Sequence, residues 1–220
     1  MKGVLLTQCP SVQLVDVSHE VPVFDVVAGG FVLWAGTRHF PTGCVHLAVV
    51  DPGVGSARRA LAVAAGGSSY VAPDNGLLWL VASRVGISRA VTLARPAAAS
   101  ATFEGRDLFA PAAARLAGGA DLAELGSEID TASLVMPLDT ASRIVWVDRF
   151  GNLVTGLEPP VSALRVGGRL VERVARTYAE APPGEPFLYT GSMGFVEVGL
   201  AGGRADEALA AGPGTPIELP

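Results

Sequence analysis

The first two thirds of the chain alternate between short apolar runs and segments whose apolar residues recur at helical spacing. Residues 12–17 predict a strand, and residues 25–34 a helix with apolar positions on one face. Residues 45–50 are an unbroken valine-rich run, the pattern of a strand buried on both faces. Residues 61–65 and 70–71 predict shorter strands and residues 76–85 a helix. The alanine-rich residues 109–117 predict another helix, with Pro111 tolerated in its first turn. Strands alternating with helices predict an α/β unit with a mainly parallel sheet.

After Asp139 the texture changes. Residues 144–147, 152–157, 169–174, 195–200 and 216–219 predict short strands joined by Gly/Pro turns, with no long helix between them. That is a small, mostly antiparallel β unit, and residues 136–142 (MPLDTAS) read as the linker. The expected domains are residues 1–139 and 140–220, and a chain of 220 residues is long enough for two small cores.

Composition narrows the function classes. Half the residues are apolar and 17% are charged, a globular and not a disordered balance. With a net charge of −5 and Lys2 as the only lysine, the chain lacks the basic footprint of a nucleic-acid partner. No apolar run approaches the roughly 20 residues of a membrane span. The opening MKGVLLTQCP has too short an apolar core for a signal peptide and Gln8 where a small residue is needed, so a cytoplasmic location is expected. Cys9 and Cys44 match no zinc spacing and read as buried free thiols. His19, His39 and His46 are too dispersed for a metal trio, and no metal is expected.

Three segments of the first domain concentrate chemistry. In VVDPGVGSARRAL (residues 49–61) a buried run ends at Asp51, Pro-Gly-Val-Gly turns the chain, and Arg58 returns seven residues later. A carboxylate beyond a strand end is well placed for a ligand, and the turn brings Arg58 within reach to hold it ionised; a turn-stabilising ion pair is the other reading. VAPDNGLL (residues 71–78) reads first as a turn with its preferred residues, Asp74 and Asn75 included. TFEGRDLFAPAAA (residues 102–114) sets Glu104, Arg106 and Asp107 ahead of a helix, either as a site or as a helix-entry network. In the second domain, DRFGNLVT and TGSMGFVEVG place Asn152 and Ser192 at glycine-flanked turns where backbone can approach a ligand.

Together and in this order, MKGV, VDVSHEVP, VVDPGVGSARR, VAPDNGLL, TFEGRDLFAPAAA, DRFGNLVT and GSMGFVEVG closely resemble the S-adenosyl-L-methionine hydroxide adenosyltransferases. The resemblance implies an N-terminal α/β domain followed by a small β-barrel domain. It also implies homotrimers that hold S-adenosylmethionine between one subunit's N-terminal domain and a neighbour's C-terminal domain. The implied reaction is hydrolysis to adenosine and methionine, with no cofactor. Asp51 and Arg58 match two members of the family's Asp–Arg–His set. The third falls at Glu104, where the family usually has histidine, so two carboxylates are expected to share Arg58.

By the same resemblance Asn152 and Ser192 look like ligand contacts, and Asp148 resembles the carboxylate that meets the methionine ammonium. Glu197, with main chain near Leu200, would receive the adenine amino group, Tyr178 would stack on adenine, and Phe24 sits where the related halogenases carry a tryptophan. Relatives also begin with a strand and a Thr-Asp-Phe-Gly turn ahead of the segment matched by MKGV; a start upstream of Met1, or weaker nucleoside binding, would follow. Two alternatives share these residues: a non-catalytic adenosine or S-adenosylmethionine binding protein, and a halogenase. The halogenase pattern has tyrosine in place of Asp51 and a long loop soon after, where residues 61–70 here form a short path.

Overall fold

The computed structural model describes residues 1–137 and 140–220, which divide into two compact units, Met1–Pro137 and Leu138–Pro220. The boundary expected at Asp139 falls outside the described residues.

In the first unit a five-stranded sheet, ordered β1-β3-β2-β4-β5, carries helices on both faces. Its strands are β1 (Val45–Leu47), β2 (Ala60–Ala65), β3 (Ser68–Pro73), β4 (Arg89–Leu93) and β5 (Gly126–Glu128). Successive side chains alternate between faces. Ala60, Ala62, Val71, Val91 and Leu93 pack with α4 (Ala110–Ala117) and with Leu5 of α1 (Lys2–Gln8). Leu61, Val63, Ala65, Tyr70 and Ala72 pack on the other side with Leu33 of α2 (Val26–Thr37) and Val81 of α3 (Trp79–Val85). Helix α2 is apolar all round, not on one face, and a Cβ on Gly30 would lie 2.3 Å from Cδ1 of Trp79.

The sheet is mixed, which corrects the expectation of a mainly parallel one. β1 and β3 run parallel, but β3–β2, β2–β4 and β4–β5 are antiparallel. Helices on both faces make strands uniformly apolar whichever way they run, so the apolar texture could not decide. The turn decides: β2 and β3 are joined by Gly66 and Gly67, at φ +56° and +78°, a two-residue reversal that returns the chain antiparallel. Residues 12–17 form no strand, and the run at 45–50 is strand only as far as Leu47, at the sheet edge with His46 its one buried residue.

The second unit consists of hairpins. β6 (Ile144–Val147), β7 (Leu153–Thr155), β10 (Pro186–Thr190) and β11 (Val196–Leu200) form an antiparallel sheet ordered β10-β11-β7-β6. β8 (Leu164–Val166), β9 (Arg169–Val171) and β12 (Ile217–Glu218) form a second, ordered β12-β8-β9. Ile144, Leu153, Leu188 and Val198 of one sheet meet Leu164, Val166 and Ile217 of the other, with Leu209 of the short α5 (Ala205–Leu209) in the same core. The expected barrel is not closed. Isolated bridges, Arg143 with Pro216 and Val174 with Leu188, link the two sheets without a continuous ladder. Pro216 has no N–H to extend one.

Candidate active site

Three strand termini lie at the same end of the first sheet. β1 is parallel to β3, and β2 is antiparallel to both β3 and β4, so the carboxyl ends of β1 and β4 lie level with the amino end of β2. Asp51 lies beyond the end of β1 and opens two overlapping turns, in which Val54 N–H donates to the Asp51 carbonyl at 3.4 Å and Ser56 N–H to that of Gly53 at 3.1 Å. Gly55 has φ +80°, and a Cβ there would lie 2.9 Å from the Ala101 carbonyl oxygen, so glycine is required twice over. The Asn75 side chain braces the approach by donating to the Val50 carbonyl at 2.9 Å.

This loop returns Arg58 against Asp51. Arg58 Nε donates to Asp51 Oδ1 at 2.9 Å, and Nη2 donates to Oδ2, a bidentate clasp. Arg58 Nη2 also donates to Glu104 Oε2, and the guanidinium lies 5.2 Å from the Phe109 ring centre. Burial opposes the Arg58 charge, but the bonds to Asp51 and then Glu104 outweigh it and hold the guanidinium above its ordinary range. The adjacent Arg59 points the other way, donating from Nε to Asp74 Oδ2 at 2.6 Å, while Asp74 Oδ1 accepts from Val135 N–H at 2.9 Å. Asp74 is thereby a structural anchor.

Glu104 immediately precedes a π-helical turn, Gly105–Phe109, a local irregularity that often marks functional positions. Its side chain is 0% exposed, against 5% for Asp51 and 9% for Arg58. Arg106 and Asp107 pair with each other instead, Nε to Oδ1 at 2.6 Å. Asp107 also accepts from Ser100 N–H, and Arg106 with that bond draws its carboxyl down to about 2. These two form the helix-entry network. The sequence reading missed Arg95, whose Nη1 donates to Glu104 Oε1. The two carboxylates share Arg58, and Glu104 has Arg95 as a second partner.

The second unit gathers most of its named residues into one hydrogen-bonded chain. Asp148 Oδ1 accepts from Phe150 N–H at 2.8 Å and Asn152 N–H at 2.9 Å, and Oδ2 from Asn152 Nδ2 at 2.8 Å. Tyr178 donates its hydroxyl proton to Asn152 Oδ1 and lies 3.4 Å from the Tyr189 hydroxyl. Tyr189, also missed from sequence, donates to Glu197 Oε2 from the directly opposite position on β10. Burial raises the Glu197 carboxyl above the ordinary carboxylate range, the Tyr189 bond lowers it, and Asp148 raises it again, leaving it high. Tyr178 packs edge-on to Phe187 at 5.1 Å.

Other named residues stand apart from both clusters. Phe24 is 68% exposed and holds φ +66°, one residue before Asp25, which caps α2 by accepting from Ala28 N–H at 3.0 Å. Ser192 is exposed in the turn between β10 and β11, and the Leu200 side chain is buried in the core. His46 is a core histidine, its centroid 4.7 Å from that of Tyr70, with burial lowering its pKa. Cys9 is buried and Cys44 half-buried, both free. Among the described residues no group of three or more His, Cys, Asp or Glu is placed to hold a metal.

Residues 1–126 match the SAM hydroxide adenosyltransferase N-terminal domain, and residues 142–218 the C-terminal domain. The sequence is 43% identical over 236 residues to a Salinispora arenicola protein named (R)-S-adenosyl-L-methionine hydrolase, covering 99% of this chain and 90% of that one. It is 42% identical to a Thermus thermophilus protein of the same name, covering 100% and 92%. The crystal structure of an uncharacterized conserved protein from Thermotoga maritima is similar with a TM-score of 0.87 at 30% identity, covering 99% of this chain and 92% of that one. With matches spanning both units, this chain belongs to the SAM hydroxide adenosyltransferase family.

Proposed function

We propose that this chain hydrolyses S-adenosyl-L-methionine to adenosine and L-methionine by in-line attack of water at the ribose 5′ carbon. The C5′–O bond forms as the C5′–S bond breaks. The electron pair stays on sulfur, which leaves as a neutral thioether, and the water's proton passes through a carboxylate to solvent. Because the sulfonium already leaves well, the demand falls on water, which must be oriented and deprotonated. One observation carries the reading: Arg58 clasps Asp51 in a nearly dry setting, in a chain 43% identical over 99% of its length to a named hydrolase. A carboxylate fixed in advance needs no reorganisation when charge shifts. The same fixed negative charge disfavours a halogenase, since it would repel an incoming halide.

Glu104 joins the catalytic set through its bond to the same Arg58 Nη2 that holds Asp51. Phe24, Asp148, Asn152, Tyr178, Ser192, Glu197 and main chain at Leu200 form the substrate contacts. The left-handed backbone of exposed Phe24 supports its place there, since such strain gathers at ligand sites. The linked donors and acceptors of Asn152, Tyr178 and Glu197 suit a nucleoside. The assembly is a homotrimer with sites between subunits, working in the cytoplasm with no cofactor and no nucleic-acid or membrane partner. The net charge of −5 supports the absence of a nucleic-acid partner. Among the described residues no helix is long and apolar enough to cross a membrane.

The test is turnover of S-adenosylmethionine in ¹⁸O-labelled water. Adenosine carrying the label at its 5′ oxygen, with unlabelled methionine, is the expected result. Binding by calorimetry without adenosine release would instead assign a non-catalytic binding protein.

A further inference from the structure

The Glu104 carboxylate is the most enclosed charged group of the candidate site, and each of its oxygens meets an arginine. Oε2 accepts from Arg58 and Oε1 from Arg95, and the side chain is 0% exposed, so Glu104 presents no surface to solvent. Asp51 and Arg58 retain slight exposure, and Arg95 is 41% exposed. Antiparallel register explains why a second guanidinium is there at all. Leu61 pairs with Thr92, so Arg58, just before β2, and Arg95, just after β4, lie at the same end of the sheet, and both reach Glu104. Two guanidiniums so placed repel unless an anion stands between them. The formal charges of Asp51, Arg58, Glu104 and Arg95 then sum to zero, which suits a site for a cationic sulfonium.

We propose that Arg95 is a positioning residue of the water-activating centre, holding Glu104 as a buried strut between two arginines so that Asp51 alone receives the proton from water. This rests on the hydrolase reading and assigns the division of labour within it. Removing Arg95 would leave Glu104 buried with one partner. It would also take a positive charge from beside the two carboxylates, so the strut would loosen, and with it Arg58 and the orientation of Asp51.

The test is a two-by-two set of full-length variants: parent, Arg95→Gln, Glu104→Gln, and both together, with Arg95→Lys as the conservative change. Arg95→Gln should lower kcat about 10- to 100-fold with KM changed less than about 3-fold, and should move the acidic limb of kcat upward in pH. Arg95→Lys should recover part of the loss and return the limb. In the Glu104→Gln background, Arg95→Gln should cost less than about 2-fold, because the group it positions is gone. Equal losses in both backgrounds, or an unmoved pH profile, overturn the proposal. Thermal unfolding of the same set separates the two claims: Arg95→Gln should lower Tm only where Glu104 is present. If the parent releases no adenosine while that unfolding coupling persists, the hydrolase reading fails and the Arg95–Glu104 pairing stands. Equal Tm losses in both backgrounds overturn the pairing itself.

Discussion

Side chain by side chain, the candidate site was legible where its partners lie close in sequence. Asp51 and Arg58 are seven residues apart across a Pro-Gly-Val-Gly turn, and turn chemistry alone predicts that they approach. Glu104 could be found by resemblance, but its burial could not, since nothing in a Phe-Glu-Gly-Arg-Asp run distinguishes the enclosed carboxylate from the exposed ones. Arg95 was invisible for a different reason: only the antiparallel pairing of β4 with β2 brings it to the same end of the sheet as Arg58. Asp51→Asn tests this scale most directly. It keeps the shape and one acceptor for Arg58, which also remains paired with Glu104, so no buried charge is stranded. Turnover should fall at least about 10²-fold, the usual cost of losing a positioned base, with Tm close to that of the parent. Release of adenosine at the parent's rate would remove Asp51 from the chemistry.

Among the elements, the helices expected at residues 25–34, 76–85 and 109–117 are present as α2, α3 and α4, whereas strand direction did not follow from apolarity. The Gly66–Gly67 pair carried the missing information, as did Gly167 and Gly168 between β8 and β9, at φ +54° and +84°. Close packing of elements yields a sharp expectation at Gly30, where an added Cβ would meet Cδ1 of Trp79 at 2.3 Å and the Leu77 carbonyl at 2.9 Å. Gly30→Ala should cost about 1–3 kcal/mol by overpacking the α2–α3 contact. Gly3→Ala, where nothing lies within 4 Å, should leave Tm the same or slightly higher. On the β10–β11 hairpin, the raised Glu197 carboxyl keeps its proton in the folded state at pH values where the unfolded chain, near its ordinary value of about 4.3, has lost it. The stability tied to that proton is whole below the unfolded value and is lost as pH rises through the folded one. Relative to the parent, Glu197→Gln should therefore gain Tm from about pH 4 toward neutrality. Parallel Tm–pH curves would show that Glu197 titrates as an ordinary carboxyl.

For the whole molecule, the sequence texture separated an α/β part from a β part, and the structure has both, but a sequence does not say how copies assemble. The proposed trimer makes a prediction that neither unit makes alone. If each site joins the first unit of one subunit to the second unit of a neighbour, two inactive variants can complement each other. One carries Asp51→Asn in the first unit, and the other carries Tyr178→Ala in the second. After unfolding and refolding together in equal amounts, a site is intact only when its first unit comes from the Tyr178 variant and its second from the Asp51 variant. Random assembly gives that combination in about one site in four, so adenosine release should return to roughly a quarter of the parent's rate. The variants refolded separately should stay inactive. A site built within one subunit would have every copy damaged in one half or the other, and the mixture would recover nothing. Sedimentation at micromolar concentration supplies the independent check, with a trimer expected and a monomer counting against both the assembly and the shared site.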